Sequence, residues 1–150
     1  MRELLGEAKE ELKRADHLIY VSLKYTRSVD VIKSVIERLI NFYEIVVRGL
    51  LERAKEKKLI QKLPDSPGMQ ADFVKDVYRK HEEMENYIKF YLLLRKMRTG
   101  KFTRAHEFRR NVTMTVTVDN QVLEVNIDII TEYYKRSLMF LDYVKEKFVK

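Results

Sequence analysis

His17, His81 and His106 are the three histidines of this 150-residue chain. They are the side chains whose ordinary pKa would let them exchange a proton near neutral pH. Cysteine is absent, so a nucleophilic thiol, a disulfide framework and a thiolate zinc site are all excluded. His81 and Glu85 stand four apart, with Asp72 and Asp76 on earlier turns, a helical spacing at which side chains can share a metal. HEEME is nevertheless not HExxH: Glu85 occupies the position of the second His, and a solvated charged face is the expected reading. His17 beside Asp16 reads as an exposed or simply hydrogen-bonded residue rather than a proton-transfer pair. Four scattered glycines cannot build a P-loop or a dinucleotide fingerprint. No residue is assigned a catalytic role, no metal ligand is assigned, and no cofactor is expected.

His106 belongs to a different pattern. The stretch KFTRAHEFRRNVTMTVTVDN passes from a run of cations to a Val/Thr alternation. The chain as a whole has net charge +7, and the excess is local. Between Arg95 and Asn111 stand Arg95, Lys96, Arg98, Lys101, Arg104, Arg109 and Arg110 against one acid, Glu107. Phe102, His106 and Phe108 are interleaved with them. Cations neutralise phosphates and rings stack on bases, so this mixture suits single-stranded RNA. The candidate nucleic-acid contacts are Arg95, Arg98, Lys101, Arg104, His106, Arg109 and Arg110. The competing reading is a solvated helix end with Phe102 and Phe108 turned into the core.

The elements that must carry this segment follow from periodicity. Leu5, Ala8, Leu12, Ala15 and Ile19 form one stripe of a helix from about residue 2 to 25. Ser28 is an N-cap candidate, with Asp30 complementing the helix start. A second helix follows, with Ile32, Val35, Ile36, Leu39, Tyr43, Val46 and Leu50 inward and its end near 58–60. LPDSPGMQ reads as a helix-helix connection. Phe73, Val77, Met84, Tyr87, Ile88, Tyr91 and Leu94 predict one continuous third helix, whose apolar end YIKFYLLLRKM is expected at the centre of a bundle. Gly100 is expected in the left-handed conformation that closes it. An Asp119-Asn120 turn would pair Val116 with Leu123, Met114 with Val125 and Val112 with Ile127 on one face of a hairpin, and Thr115 with Glu124 on the other. Asp128 would cap a last helix with Ile130, Tyr134, Leu141, Val144 and Phe148 inward.

The fold class read from this pattern is mainly α: one helical-bundle domain over residues 1–150, with about four long helices and one β-hairpin near residues 111–127. The charged start MRELLGEAKEELKR has no signal-peptide h-region, and no apolar run is long enough to span a membrane. A cytoplasmic location is expected, and abundant Lys and Glu with no Cys suits a thermophile. The stretches LKRADHLIYVSLKYTRSVDVIKSVIERLINFYE and TRAHEFRRNVTM carry a likeness. Over nearly the whole chain the sequence resembles an uncharacterised archaeal protein family, and its helical part is similar in layout to the HEPN superfamily of small bundles. That resemblance implies a binding or scaffolding role rather than RNA cleavage. HEPN ribonucleases use an Arg followed after four to six residues by His, and no histidine here has an Arg at that distance. Arg104 has the spacing only to Asn111, and His106 only to Lys101. The expectation is therefore a non-catalytic protein whose partner is RNA or another polyanion. A HEPN-type ribonuclease using His106, Arg104 and Arg109, and a scaffold that forms a homodimer or binds another protein, are the alternatives. No membrane partner is expected.

Overall fold

The computed structural model describes residues 1–149. Helix α1 runs Arg2–His17, continues through a π-helical segment Leu18–Ser22, and finishes with the turn Leu23–Tyr25. Its predicted stripe is buried throughout. The π segment keeps Ile19 and Leu23 inward and leaves Tyr20, Val21, Lys24 and Tyr25 exposed. Ser28 Oγ accepts from Val31 N at 3.2 Å, starting α2, Val29–Glu56. This helix stops slightly earlier than its pattern predicts. Lys58 at φ 62 allows the Leu59 amide to reach the Ala54 carbonyl at 2.9 Å and the Lys58 amide to reach Lys55 at 3.0 Å, the paired bonds of a Schellman closure.

The third helix is not continuous. It divides into α3, Pro67–Val77, capped by Ser66, and α4, Glu82–Thr99. Neither glycine nor proline marks the break, so tertiary contacts are responsible. Tyr78 is buried, donates its hydroxyl to the Leu50 carbonyl at 2.7 Å, and packs its ring edge-on to Phe148. Five helices, rather than four, are thus present among the described residues. At the centre of the bundle α2 packs against all four other helices, and the apolar end of α4 buries Ile88, Phe90, Tyr91 and Leu94. Within it Tyr43 stacks between Tyr91 and Phe140, with centroids 5.7 and 5.2 Å away, and has Ser137 as its hydroxyl partner at 3.1 Å. Burial holds the Tyr43 phenol well above its ordinary pKa.

After α4 come β1, Phe102–Ala105, β2, Thr113–Val118, and β3, Gln121–Val125, forming an antiparallel sheet in that order. The hairpin register is the predicted one: Val116 faces Leu123, Met114 faces Val125 and Thr115 faces Glu124. Asp119 and Asn120 both take positive φ, 51° and 64°, as a two-residue type I′ turn requires. The sheet is wider than a hairpin, because Phe102 to Ala105 pair with Val116 to Thr113. Gly100 is not left-handed; its φ is −72°. Its requirement is space, since a Cβ there would lie 2.6 Å from the Thr117 carbonyl and 2.9 Å from a Val116 methyl. Helix α5, Ile127–Phe148, is capped by Asn126 rather than Asp128: Asn126 Oδ1 accepts from Ile129 N at 2.8 Å, and Asp128 lies in the first turn. Among the described residues no helix is long and apolar enough to cross a membrane.

Candidate nucleic-acid interface

Asp30, Glu37 and Glu44 are spaced by seven along α2, so they share one face of that helix. The end of α4 and β1 run along this face in the opposite direction. Arg95 Nη1 lies 3.3 Å from Glu44, Arg98 Nη1 3.4 Å from Glu37, and Arg104 Nη1 2.9 Å from Asp30. Between these pairs Lys33 Nζ sits over the Phe102 ring at 4.1 Å. The Arg104 guanidinium approaches the same ring at 5.3 Å and also meets Glu107 at 3.3 Å. Hydrogen bonds to Asp30 and then Glu107 push the Arg104 pKa further up. Lys96 pairs across to Asp119 of the hairpin turn at 2.7 Å. Four of the seven cations are therefore matched by acids drawn from α2 and the hairpin.

Glu107 ties the loop itself to the bundle. Its Oε2 accepts from Val29 N, the first amide of α2, at 3.1 Å, satisfying an otherwise orphan helix donor. The Phe108 amide donates to the Arg27 carbonyl at 2.7 Å. These two bonds bracket the junction of α1 and α2. His106 and Phe108, on either side of Glu107, both take left-handed backbone, at φ 56° and 67°.

The remaining predicted residues point outward. Lys101, His106, Arg109 and Arg110 are exposed, and none is in an ion pair among the described residues. Phe102 is half-buried against the core, whereas Phe108 is 72% exposed. The structure thus separates the predicted set. Arg95, Arg98 and Arg104 fasten the segment to α2; Lys101, His106, Arg109 and Arg110 remain available.

Arg110 meets residues that sequence reading passed over. It shares a cleft of about 480 Å³ with Tyr20, Lys24 and Arg27 from the end of α1 and Asp128 from the start of α5. The mixture of Lys, Tyr and Arg in LKYTR was the available signal. A larger cleft, about 690 Å³, lies between the chain start and the end of α5, away from the basic segment, and its rim mixes Glu3, Glu52 and Glu56 with Arg53, Lys57 and Lys147. Of the metal candidates, Asp72, Asp76 and Glu85 each hold a neighbouring cation, Lys75, Arg79 and Lys89. His81 packs against the rings of Tyr78 and Phe148. Among the described residues no three His, Asp or Glu side chains converge to hold an ion. Tyr134 donates to Asp16 at 2.9 Å, while His17 is exposed, so Asp16 serves the tyrosine rather than its neighbouring histidine.

No protein-family model, curated protein or solved structure matches the chain.

Proposed function

We propose that this is a non-catalytic RNA-binding protein whose contact surface is the outward half of the basic segment. One observation supports it most: Arg109 and Arg110 are in no ion pair among the described residues beside an exposed Phe108, on a loop that Arg95, Arg98, Arg104 and its single acid, Glu107, hold in place. A charge pattern serving only solubility would gain nothing from such anchoring. Lys24 and Arg27 extend the positive surface around Arg110.

The test is a titration of single-stranded RNA against salt. Each phosphate neutralised contributes a slope of about −0.7 in log affinity against log salt, so three to five contacts give roughly −2 to −3.5. Reversing Arg109 and Arg110 to Glu should abolish most of the binding, whereas reversing Lys55 and Lys57 should leave it nearly unchanged. Equal losses from both reversals would overturn this reading.

The ribonuclease suggested by the HEPN resemblance is the weaker reading. It would require Arg104 to steady a phosphorane beside His106, and Arg104 is already held by Asp30 and Glu107. Metal-independent RNA cleavage that disappears in His106→Ala would reverse that order.

A further inference from the structure

We infer that the cleft between the end of α1 and the start of α5 takes one unpaired nucleobase, so the RNA bound is single-stranded at this point; this rests on the RNA-binding reading above. The cleft is unlike a phosphate site. Ile19, Leu23 and Ile127 are among its lining residues, with Tyr20 beside them in the same lining. The Tyr20 ring is half-exposed and edge-on to Tyr134, 6.3 Å away. Apolar and aromatic lining contributes nothing to binding phosphate, whereas a planar base can stack against it. The cleft volume lies within the ordinary range of small-ligand sites.

Charge is arranged to match a nucleotide rather than a bare anion. Lys24, Arg27 and Arg110 line the cleft as candidate phosphate contacts, together with one carboxylate, Asp128, from the first turn of α5. A carboxylate repels phosphate and accepts hydrogen bonds from the amino and imino groups of a base edge. Asp128 follows the apolar lining residue Ile127 in sequence, so its carboxylate is assigned to the base end of the ligand.

Phe108 supplies an independent indication. Its backbone is left-handed at φ 67°, a conformation costly for a bulky residue, and its ring is 72% exposed. The hydrogen bond from its amide to the Arg27 carbonyl fixes the backbone next to a residue of the cleft, and glycine or asparagine would make that hydrogen bond with less strain. The fold therefore explains the conformation of residue 108 but not its phenyl ring. A ring held outward next to unpaired arginines is a stacking platform for the adjoining base.

Three probes of equal length distinguish the outcomes: a single-stranded RNA octamer carrying 2-aminopurine at its centre, the same octamer annealed to its complement, and an octamer with abasic central positions. At equal salt the single strand should bind about tenfold tighter than either of the others, with the 2-aminopurine fluorescence quenched on binding. Phe108→Ala should remove about tenfold of that affinity while leaving the salt slope unchanged, because no phosphate contact is lost. Tyr20→Ala, which removes the half-exposed ring lining the cleft, should lower single-strand affinity towards that of the abasic octamer, and an unchanged affinity would overturn the base site. Equal affinity for all three probes would overturn the base site and leave the polyanion reading standing. Loss of affinity without a quenching difference, or binding to none of the probes, would overturn the base site as well, the last outcome taking the RNA-binding reading with it.

Discussion

The two halves of the basic segment have similar composition and opposite fates. From Arg95 to Arg104 every cation but Lys101 is matched, to Glu44, Asp119, Glu37 and Asp30, carried by other elements. From His106 to Arg110 the cations face outward, and the only acid, Glu107, caps a helix. Local charge density in a sequence is therefore a poor measure of charge offered to a ligand. The difference arises because α2 presents acids every seventh residue to the first half, whereas the second half lies past the start of that helix. Exposed pairs of this kind stabilise modestly, about 0.2–1 kcal/mol each, but a row of them fixes the direction of the chain leading into the loop.

The largest expected effect comes from removing the support under both halves. Val116 is fully buried, pairs with Leu123 and Phe102, and underlies Gly100. Val116→Asp should cost about 4 kcal/mol or more, through lost burial and an unpaired charge, and free residues 101–111 to exchange amide hydrogens rapidly. Thr115 lies on the opposite face, across from Glu124, so Thr115→Lys should leave the melting temperature within a few degrees. Similar losses from the two would mean that the sheet is buried on both faces and that the segment is not held as a unit.

A charge reversal in each half separates them more sharply. Arg104→Glu would bring a third carboxylate to Asp30 and Glu107, so it should lower the melting temperature measurably. RNA affinity should then fall indirectly, as the loop loosens. Arg109→Glu should leave the thermal melt unchanged and reduce RNA affinity directly, with a shallower salt slope. If Arg104→Glu melts like the parent and binds as poorly as Arg109→Glu, the two halves act as one patch and the division between them is wrong.

What could be read from the sequence was whatever repeats with a fixed period. The stripes of α1, α2 and α5 are buried as predicted, and the Val/Thr alternation specified the hairpin register because a one-residue slip would have exposed its apolar face. The break at Tyr78 was not legible, since it depends on one hydroxyl finding the Leu50 carbonyl and one ring finding Phe148. FTRA has no alternation by which to announce β1; its pairing comes from β2 alongside. Gly100 was read as a conformational choice when the reason is the approach of the Thr117 carbonyl. For the candidate interface, the basic loop was legible in the sequence but its partition into paired and unpaired cations was not. The seven-residue spacing of Asp30, Glu37 and Glu44 was present, yet only the antiparallel path of α4 shows which cations meet it. Tyr20, Lys24 and Arg27 lie some eighty residues before Arg110, and the cleft exists only after folding.

The smallest expected effect has the opposite sign and tests whether residue 108 is chosen for the fold or for a ligand. Phe108 holds a left-handed backbone at a cost of about 1–2 kcal/mol relative to its preferred regions. Phe108→Gly removes most of that strain, loses little packing because the ring is already exposed, and gives back part of the gain through the greater freedom of the unfolded chain. The hydrogen bond from the residue 108 amide to the Arg27 carbonyl and the Glu107 cap can both persist. A net stabilisation of up to about 1 kcal/mol is expected, visible as a melting temperature a few degrees higher, together with weaker binding to single-stranded RNA. Such a pairing, firmer fold and poorer binding, is what a strained ligand platform implies. If Phe108→Gly instead lowers the melting temperature, the ring contributes to the fold, and its exposure does not mark a binding role.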